Sequence, residues 1–437
     1  MKRTKKLALL LLVLVLLAGA TAAVKRTVKD TAAPEEPAVT VFSLNPDSVT
    51  HLGWDYSETV SFTAGKNGWV CDQDAAFPVD ETYLTAMLDA LTEVTSAKTI
   101  HAPENLDQYG LEVPVCRITV SDGKERTLSI GLETAMGGQR YFSNGDGNVY
   151  LVADSLLDSF QYGLYDVLKH QTLPQVTDLS GLTVKTPGGG YTITRQDSSG
   201  LTYSDDYVWF LAGKPLDNEL TATLLSTVTS LNLRRCVDYS ADDLSQYGLD
   251  TPLVTATVLD GGKAAFTLEI GNTDGDTCYL RLKDSKMIYQ VDAALSDTLR
   301  YTTYADLQPD DVLLMDWDAV KSVSVALDGS EYCLVSSTDD AGKTVWKRDG
   351  AVVEFASVLD TLTSMDSNGF AAGLTPEGEP QITFRIFRER EAFSQVTLCF
   401  YAYNSTSCLV TLDGAPTVTV RREDAANLIA SVKDLLE

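Results

Sequence analysis

Three histidines, His51, His101 and His170, are where a general base or a metal ligand would first be sought in this chain of 437 residues. None has a second histidine or a cysteine at ligand spacing. His51 corresponds to Asp178 and Ser322 in related segments further along, so it reads as a solvated strand position rather than a base. The sequence holds no G-x-S-x-G, no H-E-x-x-H, no phosphate loop and no G-x-G-x-x-G. Carboxylates invite a calcium reading, because Asn144-Gly-Asp146-Gly-Asn148 and Asn272-Thr-Asp274-Gly-Asp276 place oxygen side chains at alternate positions. Each then fails: Val149 or Thr277 stands where a calcium loop needs glycine, and Ser155 or Lys283 where it needs glutamate. Both are read as hairpin turns, and Asp72 with Asp74 and Asp339 with Asp340 as turn residues at strand ends. Asn404-Ser-Thr406 matches a glycosylation sequon and carries no weight behind this leader. The residues therefore indicate no catalytic set, no cofactor and no metal, and they leave any ligand-binding residues unassigned.

The elements that would position a site are built more than once. Asn105-Leu-Asp-Gln-Tyr-Gly-Leu-Glu-Val-Pro114 returns as Asp243-Leu-Ser-Gln-Tyr-Gly-Leu-Asp-Thr-Pro252, which sets Tyr109 and Tyr247 138 residues apart. A repeat of that size can bury its own core, unlike the units of about 20–50 residues that stack into solenoids. Upstream, Leu84, Leu88, Leu91 and Leu220, Leu224, Val228 form one apolar stripe each at helical spacing. The stripes follow Pro78-Val-Asp80 and Pro215-Leu-Asp217, whose aspartates are predicted N-caps. Downstream, Cys116, Ile118, Val120 and Val254, Ala256, Val258 alternate with polar neighbours as half-buried strands do. Thr127-Leu-Ser-Ile-Gly131 and Thr267-Leu-Glu-Ile-Gly271 follow as second strands, ended or bulged by glycine. A diverged third copy has Phe355, Leu359 and Leu362, then Gly373-Leu374 with Pro380, then Ile382, Phe384 and Ile386. Trp69, Trp209 and Trp346 precede the three helices, and a second helix is predicted near 153–168 and 293–307. The Tyr-Gly-Leu turn reads as structural, with glycine at positive φ and with Tyr109 and Tyr247 largely buried on the helix.

Seven cysteines do not recur between copies, and none forms a C-x-x-C. Cys116 aligns with Val254 and Ile382 and is expected to be a small buried apolar residue. Only Cys399 and Cys408 are spaced to pair, provided Tyr403-Asn404 turns a hairpin that sets them opposite each other. Residues 7–24 form a nearly continuous apolar run behind Lys2, Arg3, Lys5 and Lys6, just long enough to span a hydrocarbon core of about 30 Å. An uncleaved anchor is favoured by its length and by Lys25, Arg26 and Lys29 after it; the alternative is a signal peptide cut at Ala18-Gly-Ala20 or Ala20-Thr-Ala22. Either way the remainder is expected outside the cytoplasm. Seven basic and no acidic residues lie in 1–29, which leaves 27 basic against 61 acidic residues beyond it, a net of −34. Such a surface repels nucleic acid.

The expected fold class is α+β: three tandem repeats, each an antiparallel β-meander with one or two packed helices, behind an N-terminal transmembrane helix. The expected boundaries are a leader and anchor at 1–29, a linker at 30–40, and repeats at 41–174, 175–315 and 316–437. The repeated L-x-Q-Y-G-L-x-x-P and L-x-I-G patterns, behind a Trp strand, a Pro-x-Asp helix and one hydrophobic segment, resemble the bacterial domain of unknown function 4340 family. That resemblance implies a membrane-anchored envelope protein associated with ABC-type transport systems, and it implies no catalytic residue. The leading expectation is thus a non-enzymatic extracytoplasmic scaffold or binding protein, accessory to an ABC-type transport or envelope assembly system, with a transporter subunit as partner. The alternative is a receptor for a soluble ligand or wall polymer, using a groove lined by Tyr and Trp and sought near the hairpins 141–150 and 279–289. An envelope hydrolase would need clustered carboxylates in a cleft.

Overall fold

The computed structural model describes residues 38–198 and 200–436. Two compact units result, one ending at His170 and one comprising Gln171–Glu437. In the first, an eight-stranded antiparallel sheet has at its centre His51–Asp55 paired with Cys116–Ser121. Thr59–Gly65 and Gly68–Cys71 extend the sheet on one side, and Glu125–Glu133, Gln139–Ser143, Val149–Ala153 and Lys98–Ile100 on the other. Val39–Ser43 pairs separately with Glu93–Ser96. The second unit holds two nine-stranded sheets wired in the same order, with Leu179–Thr186 beside Val254–Asp260 at the centre of one and Val320–Leu327 beside Ile382–Arg388 at the centre of the other. Trp69, Trp209 and Trp346 occupy equivalent strands.

The α+β class is corrected to a predominantly β architecture, with about 41% of the described residues in strands and about 20% in helices. The helical periodicities are real but short: Glu81–Ala90, Asn218–Thr229 and Ala356–Thr363. The predicted second helices break into pieces. Residues 153–168 form only Ser155–Asp158 and a 3-10 turn at Leu164–Val167, because Gly163 is extended. Residues 293–307 split into Ala293–Tyr301 and Tyr304–Leu307 around the extended β-branched pair Thr302 and Thr303. The longest helix among the described residues, Arg422–Leu436, buries Ala425, Leu428 and Val432 at helical spacing and has no counterpart in the sequence-based expectation. The transmembrane helix expected at 7–24 lies outside the described residues, and no helix among the described residues is long and apolar enough to cross a membrane.

Asp80 and Asp217 do cap their helices, accepting from the backbone N–H of Thr82 and Leu220 at 3.1 and 2.7 Å. The stripe of the second helix is shifted by one residue from the expected one. Leu220 is 49% exposed, and Thr221, four residues after its cap, takes the buried place that Leu84 fills in the first repeat. The third helix buries Val358 and Leu362, with Phe355 immediately before it.

The repeated motif is one docking joint written in two places. Gly110 and Gly248 adopt φ of 64° and 65° at the end of single 3-10 turns, and Leu111 and Leu249 close each turn by donating to the carbonyls of Leu106 and Leu244. The turn then rests on the Ile-Gly strand. A Cβ on Gly131 or Gly271 would run into the carbonyl oxygen of Tyr109 or Tyr247, and one on Gly110 would lie 2.5 Å from Leu132 Cγ. At that place the strand is bulged, with register shifts at Ile130/Glu133 and Ile270/Thr273. Tyr109 and Tyr247 are half-buried rather than buried, each against another tyrosine, Tyr141 and Tyr279. In the second repeat Leu249 packs with Ala241 and Ile288, not on the helix. The third repeat lacks the tyrosine and the Ile-Gly, and its strand Gln395–Ala402 pairs with Ser407–Leu412 without a bulge.

Candidate functional site

A cleft of about 520 Å³ opens in the second unit between the second and third sheets' repeats. Tyr203 and Tyr207 reach it from the irregular segment before the Trp209–Leu211 strand, Lys214 from the two-residue edge strand, and Tyr304 from the start of a short helix. The third repeat supplies Phe370, 42% exposed, from its outermost strand. Tyr304 is held in place by its neighbours: Thr303 and Asp306 form a capping box, with the Thr303 N–H and Oγ1 donating to Asp306 Oδ2 at 2.8 and 2.6 Å. Lys214 Nζ lies 4.9 Å from the centroid of the Tyr304 ring. The Tyr207 hydroxyl donates to Asp311 Oδ2 at 3.4 Å.

The cleft presents aromatic walls with one acid and one base, a combination suited to stacking and hydrogen bonding rather than to nucleophilic chemistry. Burial pushes the Tyr203 and Tyr207 hydroxyls well up, with nearby carboxylates adding to the shift, so both stay protonated donors. Burial, and after it the Asp310 charge, raises the pKa of Asp311, while its bond from Tyr207 acts the other way. A carboxyl whose pKa is higher folded than unfolded destabilises the fold once it ionises. The loss is absent below the unfolded pKa and develops as pH rises toward the folded one. Asp311→Asn is therefore expected to raise the melting temperature at pH 7 and to leave it unchanged at pH 3. An unchanged melt at pH 7 would contradict this.

A second cluster fixes the wall of the cleft. Asp316 accepts from the backbone N–H of Asp205 at 3.1 and 3.2 Å and from Ser204 Oγ at 3.4 Å. The same carboxylate meets Arg390 at 3.4 Å and Arg388 at 3.7 Å, and Arg390 also reaches Asp205 at 2.6 Å. Arg388 has a side chain 1% exposed, and its Nε and Nη1 have no hydrogen-bond partner among the described residues. Burial pulls its pKa down, partly offset by Asp316. Tyr203, next to this cluster, stands edge-on to Phe393 at 5.9 Å.

The residues singled out from the sequence lie elsewhere. His51 meets Asp72 at 3.2 Å across sheet strands, His101 faces Asn148 at 3.4 Å, and His170 ends the first unit. Asn144, Asp146 and Asn148 tie their own turn: Asn144 and Asp146 accept from the N–H two residues on, and Asn144 Nδ2 donates to Val41 at 2.8 Å. In the second copy Asp274 accepts from Tyr279 and Gln290, each at 3.3 Å. Among the described residues no group of three or more His, Cys, Asp or Glu is placed to hold a metal ion. Cys116 is fully buried, and burial raises its thiol to about 12. Cys399 lies opposite Thr411 and Cys408 opposite Ala402, so the two are not paired and both thiols are free.

Sequence reasoning looked for aromatics in the hairpins 141–150 and 279–289 and missed Tyr203, Tyr207, Tyr304 and Asp311. The signal was the density of tyrosine just before Trp209 and again at 301–304. No curated protein and no solved structure matches the chain. The sequence model for Domain of unknown function (DUF4340) matches twice, over residues 69–207 and 209–383. Each match opens on the Trp strand, at or next to the edge of one sheet, and ends within the next repeat. With two copies of that domain covering most of its length, the chain belongs to the DUF4340 family.

Proposed function

We propose that this protein is a non-enzymatic, membrane-anchored extracytoplasmic binding protein that takes its ligand in the aromatic cleft and serves as an accessory part of an ABC-type transport or envelope assembly system. The observation that carries the reading is the cleft itself, with Tyr203, Tyr207, Tyr304 and Phe370 around one carboxyl and one ammonium group. Aromatic faces stack on the apolar faces of sugar rings, and Tyr207, Asp311 and Lys214 offer hydrogen bonds to hydroxyl, amide or carboxyl groups at their edges. Cell-wall glycan presents these features together. The placement outside the membrane rests on the apolar run at 7–24 and its basic flank.

Sedimentation of the full chain with purified peptidoglycan tests the reading. Wild type is expected in the pellet, and Phe370→Ala combined with Lys214→Ala is expected to weaken retention about tenfold, the effect of losing about 1.4 kcal/mol. Wild type left in the supernatant, or equal retention of the variant, would overturn it.

A further inference from the structure

The first repeat carries apolar side chains on its turn where the second carries polar ones. Val113, 86% exposed, stands where the second repeat has Thr251, and Leu132, 49% exposed, where it has Asn272. The hairpin beyond the bulge is also longer in the first repeat: Ile130 pairs with Phe142, twelve residues on, while Ile270 pairs with Leu280, ten residues on. The longer loop holds Met136 at 100% exposure. Leu106, 36% exposed, opens the same turn. Leu132 rests against Gly110, so the segments bearing these four side chains are held together by the docking joint. Single exposed apolar residues are ordinary. Four on one joint, two of them (Val113 and Leu132) with polar counterparts on the same backbone elsewhere in the chain and a third, Met136, on a loop that the second repeat shortens, mark an interaction surface.

The charges around it select the occupant. Glu104, Asp107, Glu112 and Glu133 are all exposed, and neither 102–115 nor 131–138 contains a Lys or Arg. A second copy of this face would set acidic rim against acidic rim, and anionic lipid would be repelled in the same way. We propose that the face around Val113, Leu132 and Met136 docks a partner-protein segment whose apolar side chains are flanked by Lys or Arg. The surface belongs to the first unit and is independent of the cleft.

The test uses the full chain and a fluorescent 18-residue amphipathic peptide of Leu and Lys, with a Leu and Glu peptide of the same pattern as its counterpart. The chain is compared with Val113→Thr/Leu132→Asn/Met136→Asp, which takes the second repeat's residues at the first two positions and adds a negative charge at the third. If net charge alone held the basic peptide, the variant would bind it at least as well. The expected result is a tenfold or greater loss of affinity in the variant at an unchanged melting temperature, with no binding of the acidic peptide. Equal binding by the variant, or binding of both peptides, overturns the proposal. A tenfold gain in peptide affinity on changing Lys25, Arg26 and Lys29 to Gln overturns it in favour of the chain's own basic segment as occupant, and a wild-type dimer that the variant abolishes does so in favour of a second copy.

Discussion

Gly271→Ala is expected to destabilise the second unit by about 3 kcal/mol, at the upper end of what forced overpacking costs. The added methyl would have to enter the space of the Tyr247 carbonyl oxygen, with the Gly248 carbonyl carbon and Leu249 Cγ each at 3.0 Å. These are backbone and buried groups, so no flexible side chain can swing away. Gly248→Ala attacks the same joint from the other side, combining φ of 65° with a clash on Asn272, and is expected to cost about 2 kcal/mol. Once either change has lifted the turn off the strand, the other has less to disrupt, so the double variant should lose less than the sum. Gly262→Ala is the control, with φ of 78° and no atom within 4 Å of a new Cβ, and should cost only the backbone strain of about 1 kcal/mol. Hydrogen exchange at the amides of Leu249 and Gly271 reads the outcome. Losses at Gly271 no larger than at Gly262 would show that the joint is not the source of the motif.

Asp316→Ala should cost about 3 kcal/mol, the lower end of what breaking a buried ion pair costs. Removing this carboxylate leaves the Arg388 guanidinium, 1% exposed, without its nearest acid, and it also takes the acceptor from the Asp205 backbone N–H and from Ser204. Arg390 keeps Asp205 and is less affected. Asp316→Asn preserves acceptors while removing the charge, so it should recover part of the loss. Denaturant unfolding of the full chain measures both. A loss below about 1 kcal/mol for Ala, or an Asn variant worse than Ala, would mean that Arg388 is stabilised by something other than Asp316.

The sequence made the repeat legible because the joint demands particular residues at particular places. Gly110 and Gly248 need positive φ, Gly131 and Gly271 need the absence of a Cβ, and Leu111 and Leu249 need burial. The third repeat was harder to read for the same reason: its uninterrupted strand at Gln395–Ala402 needs none of them. The predominance of strand was underestimated because many strands are short, such as Lys214–Pro215, Gly369–Phe370 and Lys98–Ile100, and two or three residues show no alternation. The cleft was illegible for another reason. Its tyrosines come from loops and helix starts, with no period to mark them, and they converge with Phe370 only through the pairing of Gly369–Phe370 with Ala415–Arg421.

The central seam of each sheet has a consequence for the order in which the chain can fold. His51 pairs with Ser121, Leu182 with Val258 and Val323 with Ile386, separations of 70, 76 and 63 residues. The hairpins on either side of a seam close over a few residues and form early, within microseconds, whereas the seam must wait for a long loop to close. Each repeat therefore has a late, rate-limiting step that requires its last strands to be present, and half a repeat has no stable state of its own. A chain emerging from its N-terminal end would acquire structure in three delayed bursts rather than continuously. Truncations ending just before Cys116, Val254 or Ile382 would leave an unpaired central strand open to other chains, and aggregation should peak at those three lengths.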